Sequence, residues 1–152
     1  MSVALVSTVI NAPADEVWAR IADFTGWHTW LPRIVATRMS PGGEGGPVGS
    51  VRHLTLSDGS EVDEQLLARD DLARHFAYTF VGATPFRVHR YVGAVTVHPV
   101  TTTGASFVQW SGDFDADADS DEARTAATFE RLYGAFLAAL TEASEQPATV
   151  PA

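Results

Sequence analysis

The sequence predicts an α+β fold: a curved antiparallel sheet of about seven strands wrapped around one long C-terminal helix, with two short helices after the first strand. Three observations carry this expectation. The middle of the chain is a succession of alternating apolar runs rich in Val, Thr, Phe and Tyr, divided by Gly- and Pro-containing breaks. The stretch 120–143 instead repeats apolar residues at three-and-four spacing, the mark of a helix with one buried face. At the opening, alternation stops at Asn11-Ala12-Pro13 and a short helical pattern takes over, followed by an aromatic bend.

Each element follows from local chemistry. Residues 3–10 alternate and read as a strand. Pro13 suits the first turn of a helix, where no backbone N–H is needed, and Asp15 and Glu16 follow where the helix dipole favours negative charge. Val17, Trp18 and Ile21 give this helix, 13–22, one apolar stripe. A second helical turn is expected around 24–30, and the bend holding Trp27 and Trp30 ends at Pro32. Residues 33–39 form a strand. Pro41-Gly-Gly-Glu-Gly-Gly-Pro47 is a loop, because Gly and Pro break both regular structures. It lacks the Lys-Ser/Thr of a phosphate loop and a following helix, so nucleotide binding there is rejected. Strands at 48–56 and 61–69 are joined through Ser57-Asp58-Gly59-Ser60, a hairpin signal. Strands at 74–81, 88–98 and 105–115 follow. The closing helix buries Phe129, Leu132, Tyr133, Phe136, Leu137 and Leu140, and Asp119 with Glu122 makes a capping box at its start. Residues 1–144 read as one domain and 145–152 as a frayed tail.

Composition narrows the function. A chain of 152 residues, 45% of them hydrophobic, can bury a substantial core. It has no cysteine, hence no disulfide, thiol nucleophile or thiolate metal site. No charged segment leads into an apolar signal sequence and no apolar run approaches membrane-spanning length, so a cytoplasmic protein without stable membrane insertion is expected. A net charge of −9 argues against nucleic-acid binding, which needs a basic face. The histidines, His28, His53, His75, His89 and His98, form neither His-x-His nor His-Glu-x-x-His, and no metal or other cofactor is expected. Asp113, Asp115, Asp117, Asp119 and Asp121 depart from a calcium loop: counted from Asp115, the sixth position is Ser120 and the twelfth Ala126. They read as a solvated acidic loop. No Gly-x-Ser-x-Gly elbow is present. A homodimer is compatible with the sequence.

Alternation also says what faces inward. The Asp58-Gly59 hairpin admits two registers. A two-residue turn sets Arg52, Leu54 and Leu56 beside Glu61, Asp63 and Gln65; a three-residue turn sets them beside Val62, Glu64 and Leu66. The second gives a common apolar face and is preferred, with Arg52 and Glu64 as diagonal neighbours. Phe76, Tyr78 and Phe80 share the inward face of the next strand, Tyr91, Val95 and Val97 that of the one after, and Val108, Trp110 and Phe114 that of the last. The result is an apolar pocket with a few polar groups, the usual make-up of a small-molecule site. Expected ligand contacts are Trp27, Trp30, Leu54, Phe76, Phe80, Tyr91, Trp110, Phe114 and Phe136. Apart from a different register that would turn one or both to solvent, two readings of Arg52 and Glu64 stand. They are a structural ion pair, or Arg52 anchors an oxyanion while Glu64 moves protons. Tyr78 and Tyr91 either fill the core or hydrogen-bond a ligand. His89 alternates with Tyr91 and is a candidate base. Catalysis, if any, would rest on Glu64, Tyr78, Arg52 and His89.

The opening run Val6 to Phe24 with Trp27-His-Thr-Trp-Leu-Pro32 resembles the start of the START/SRPBCC superfamily. The likeness continues through Val48-Gly-Ser-Val-Arg52, Asp58-Gly59, Glu64-x-Leu66-Leu67, Asp70-Asp71, Tyr78, Tyr91 and Val108-Gln-Trp110-Ser-Gly-x-Phe114. It is nearest the bacterial polyketide cyclase/dehydrase-like branch, related to pollen-allergen-like proteins. The resemblance implies a helix-grip fold and binding of a small hydrophobic or aromatic, lipid- or polyketide-like ligand. It implies as alternatives a polyketide cyclase, aromatase or dehydratase, in which Arg52 and Tyr78 match groups that assist an enolising chain, or a non-catalytic protein-interaction or stress-associated role.

Overall fold

The computed structural model describes residues 2–146. The element order is β1 (Ser2–Ile10), α1 (Ala14–Ala22), a 3₁₀ turn (Trp27–Thr29), β2 (Ile34–Met39), β3 (Val51–Leu56), β4 (Glu61–Asp70), β5 (His75–Val81), β6 (Val88–Val100), β7 (Ala105–Ala116) and α2 (Glu122–Glu145). The seven strands form one antiparallel sheet in the order β1-β7-β6-β5-β4-β3-β2, and α2 packs on β1 and β7 across its concave side. This is the helix-grip architecture. Register shifts at Ile34/Ala36, Leu66/Ala68 and Val88/Arg90 mark bulges, which bend strands and increase twist. They help curl the sheet around the helix.

Several local expectations shift. Pro13 is the residue before α1 rather than inside it. Its backbone is extended, and its carbonyl accepts the Glu16 and Val17 amides at 3.0 and 3.2 Å. The second short helix is a single 3₁₀ turn of three residues, closed by the Trp30 and Leu31 amides on the Trp27 carbonyl. Strand β3 begins at Val51, because Gly49 takes a left-handed φ of 94° that an extended strand cannot hold. Asp121, not Asp119, caps α2, its carboxylate accepting the Arg124 amide at 3.2 Å. Asp119 is drawn off to Arg87. The acidic series is ion-paired rather than simply solvated: Arg90 holds Asp113 and Asp115 at 2.7 Å each, and Arg87 holds Asp117 and Asp119. Of the tail expected to fray, Glu145 ends α2 and 147–152 lie outside the described residues.

The β3–β4 hairpin adopts the preferred register in a tighter form. The Leu56 amide donates to the Ser60 carbonyl at 2.8 Å across a three-residue loop, with Gly59 at φ 88°. Arg52 therefore lies directly opposite Glu64, not diagonal to it. Leu54 pairs with Val62 on the same face. The core runs beneath this face, with Phe76, Val95, Val108, Trp110 and Leu140 all fully buried.

Candidate ligand cavity

The site grows from the Arg52–Glu64 pair. Arg52 is wholly buried, and Glu64 nearly so. Arg52 Nε and Nη2 both donate to Glu64 Oε1, at 3.0 and 2.6 Å, and Nη1 donates to the Phe24 carbonyl at 2.9 Å. The guanidinium is pressed between the Phe24 and Trp27 rings, 4.1 and 4.0 Å from their centroids, a cation–π sandwich. Trp27 is itself held by its indole N–H on the Ile21 carbonyl at 3.0 Å. These contacts consume Arg52: it does not line the cavity, whereas Glu64 does. Both arginine bonds converge on Oε1, so Glu64 Oε2 receives no hydrogen bond from a described residue.

Beside Glu64 lies a chain of phenols. The Trp110 indole N–H donates to the Tyr78 hydroxyl at 3.1 Å, the Tyr78 and Tyr91 hydroxyls are 3.5 Å apart, and those of Tyr91 and Tyr133 2.5 Å apart. Three O–H donors share two mutual contacts. One O–H is therefore left without an acceptor among the described residues. Burial raises the pKa of all three phenols, and the Glu64 charge raises those of Tyr78 and Tyr133 further. They are neutral hydrogen-bond donors, not bases. Two glycines make room for them. Gly93 and Gly112 are cross-strand partners. A Cβ on Gly93 would come within 2.5 Å of the Tyr78 ring, and one on Gly112 would strike the Tyr133 hydroxyl.

These groups floor a cavity of about 50 Å³ between the sheet and α2. Leu54, Leu56, Val62, Leu31 and Ile34 wall one side, and Phe129 the helix side. Its lining residues that keep partial exposure, Arg33, Phe80, Phe86, Leu132 and Phe136, form the mouth. The part of the mouth formed by Phe80 and Phe86 borders a gap in the sheet. Pairing of β5 with β6 stops at Tyr78–Gly93, and beyond it Phe80 and Phe86 stack at 5.4 Å, with Phe86 against Phe129 at 4.8 Å.

The residues singled out from sequence divide accordingly. Glu64, Tyr78, Tyr91, Leu54, Trp27, Phe80 and Phe136 meet at the cavity. Phe76, Trp110 and Phe114 are buried behind it, and Trp30 turns its indole N–H to the Arg20 carbonyl at 3.2 Å on another side. Phe76, Trp110 and Phe114 turn inward as expected but pack against neighbouring rings instead of lining the space. His89 is a correction. The bulge between Val88 and Arg90 breaks the alternation that would align it with Tyr91, and it sits exposed, 3.5 Å from Asp117. Although Leu132 and Tyr133 were expected on the buried face of the helix, Tyr133, Phe86, Arg33 and Leu132 were not foreseen as cavity residues. Tyr133 could have been, as a hydroxyl on an otherwise apolar helix stripe; the others depend on how the sheet gap meets the helix.

Cross-strand pairing also builds an arrangement that sequence spacing hides. Ser40 Oγ is 2.8 Å from His53 Nε2, and His53 Nδ1 is 2.7 Å from Asp63 Oδ1. The order is that of a nucleophile, base and orienting carboxylate. It lies on the convex face, opposite Arg52, and the Ser40 amide is spent on the Val51 carbonyl at 3.0 Å, leaving it unable to stabilise an oxyanion. Its evident work is to tie β2, β3 and β4 together. Among the described residues no three His, Asp or Glu side chains gather as a metal site would need, and no helix is long and apolar enough to cross a membrane.

This architecture is shared with solved structures. Protein XoxI from Bacillus cereus is similar at 30% identity and a TM-score of 0.83, the match covering 95% of this chain and 96% of that one. The di-domain aromatase/cyclase BexL of the BE-7585A biosynthetic pathway matches at 21% identity and a TM-score of 0.73, over 93% of this chain and 46% of that one. Ginseng major latex-like protein 151 from Panax ginseng matches at 20% identity and a TM-score of 0.77, over 95% and 98%. The last two show likeness of fold alone. No functionally curated protein matches. Residues 2–145, which hold the whole sheet, the cavity and all of α2, match the model of one family. The chain therefore belongs to the polyketide cyclase/dehydrase and lipid transport family.

Proposed function

We propose that the protein binds a small hydrophobic or aromatic molecule, lipid- or polyketide-like, between the sheet and α2. The observation that carries this reading is the cavity itself, with apolar walls and a floor where a spare tyrosine O–H and the open oxygen of Glu64 lie together. The walls take the apolar body, and the floor takes a hydroxyl or carbonyl. A benzene-sized guest needs roughly 150 Å³, more than the space present, so admission requires Phe86 and Phe80 to swing aside at the sheet gap. Native mass spectrometry of gently purified protein, with displacement of an environment-sensitive dye by aromatic and acyl compounds, tests the reading. A retained molecule or saturable displacement, abolished by the cavity-filling Val62→Phe in a folded variant, supports it. Absence of both counts against it.

A cyclase, aromatase or dehydratase reading is favoured by one specific feature: donor and acceptor face the same space. In such a reaction Glu64 Oε2 would take a proton while the spare tyrosine O–H steadies developing oxyanion charge, with Arg52 positioning Glu64 from behind. Positioned acid–base groups are worth about 10²–10⁴-fold in rate. Glu64→Gln and Tyr78→Phe should then lower turnover of polyketone substrates by that order while leaving affinity nearly intact. Rates equal to the buffer reaction for wild type and variants alike would leave binding as the function.

A further inference from the structure

We infer that the molecule taken up is an amphipathic acid, an apolar body carrying one carboxylate or comparable anionic group, and that Arg33 at the mouth holds the charged end. This rests on the ligand-binding reading above. All ten cationic side chains of the protein are arginines. Of the half-buried ones, Arg20 is bonded to the Glu16 carbonyl, Arg74 to Asp15 and Arg90 to Asp113 and Asp115. Arg33 is the exception. Its guanidinium has no hydrogen bond or ion pair with any described residue, although the residue as a whole is half-buried and lines the cavity. Half-burial of a charged residue without a partner is unfavourable, so the position gains from an anion placed beside it.

Its backbone is pinned while its head is free. Pro32 precedes it, and its carbonyl accepts the Ser57 amide at 2.8 Å, fixing the bend against the β3–β4 turn. One acid is within electrostatic reach but forms no ion pair with it. Asp58 feels the Arg33 charge, but its Oδ1 accepts the Ser60 amide and hydroxyl at 2.9 and 2.6 Å, which hold its carboxyl below the usual range. The other mouth residues are Phe80, Phe86, Leu132 and Phe136, none of which can receive a charge.

Electrostatics then sets the ligand's direction. Glu64 at the floor repels an anion, and a net charge of −9 repels it from the surface at large. Arg33 is the place along the cavity where a carboxylate is favoured. The charge stays at the mouth, the apolar body goes inward, and any neutral hydroxyl or carbonyl meets the tyrosines. A guanidinium also matches a carboxylate in two-point geometry.

Matched acid and methyl-ester probes test this: 2-naphthoate and decanoate against their esters, by dye displacement and calorimetry. Wild type should favour each acid about tenfold, the scale of one charge-assisted hydrogen bond, with the preference shrinking as salt rises. Arg33→Gln should erase the preference by weakening the acid alone. Arg33→Met, which keeps the apolar stem, should do the same, and Arg38→Gln, an exposed arginine of β2, should change neither probe. Equal wild-type affinity for acid and ester, or equal losses in Arg33→Gln, would overturn the assignment while sparing the cavity. Failure of wild type to bind any probe would overturn the ligand-binding reading and this one with it. Weaker sedimentation of Arg33→Gln with anionic phosphatidylglycerol vesicles, at unchanged acid affinity, would assign Arg33 to a lipid surface instead and overturn the inference.

Discussion

A single buried guanidinium sets the strongest constraint at the scale of residues. Arg52 is wholly enclosed, its charge answered by Glu64 and two aromatic faces. Removing one partner strands the other, at about 3–5 kcal/mol. Arg52→Met and Glu64→Gln should each destabilise strongly in urea unfolding, and the double variant should lose clearly less than their sum; additive losses would mean the pair is not coupled. The phenols give a second test. Tyr78, Tyr91 and Tyr133 are all the tyrosines of the chain, and each is buried with a pKa raised above the free value of 10.0. The folded state thus keeps protons that the unfolded chain releases. The stability these phenols contribute is complete below pH 10 and is lost as pH rises past it. The ultraviolet phenolate band should stay flat in the folded protein and appear together with loss of structure. A gradual rise ahead of unfolding would contradict the burial.

At the scale of elements, strands β6 and β7 are shaped around aromatic rings. Gly93 and Gly112 pair across them and leave the gap into which the tyrosines lean. Gly93→Ala and Gly112→Ala should each cost about 1–3 kcal/mol through overpacking. The Gly112 clash is chiefly with the Tyr133 hydroxyl. Tyr133→Phe should therefore recover part of the stability of Gly112→Ala in denaturant melts, and no recovery would refute the proposed fit. The same scale shows where local reading fails. Alternation correctly turns Glu64, Tyr78, Tyr91 and Trp110 inward, since each lies in an unbroken stretch of strand. It misplaces His89, because one bulge reverses the face of everything beyond it.

For the whole molecule, α2 is both a closing wall of the core and a side of the cavity. Leu140 is fully buried, and Leu140→Ala should cost about 2–5 kcal/mol. Circular dichroism and tryptophan fluorescence should still unfold together, because sheet and helix bury a common core. A molecule seated between them binds the folded state only. At a hundredfold excess over its Kd it should add about 2.7 kcal/mol, read as a raised Tm. Binding without such a shift would place the molecule elsewhere on the surface.

The sequence by itself determined the succession of elements, the antiparallel sheet closed by one helix, and the facing of Arg52 and Glu64. All three rest on signals carried within a few neighbouring residues: alternation, three-and-four spacing, and a turn whose glycine selects the loop length. Tertiary structure alone decided that Arg52 is consumed by Phe24, Trp27 and Glu64, that Tyr133 joins the other tyrosines, that pairing of β5 with β6 stops short, and that Arg33 stands without an ion pair at the cavity mouth. Those outcomes depend on how far one strand's pairing runs and on where a helix more than forty residues away in sequence lays its side chains, and no local pattern encodes either.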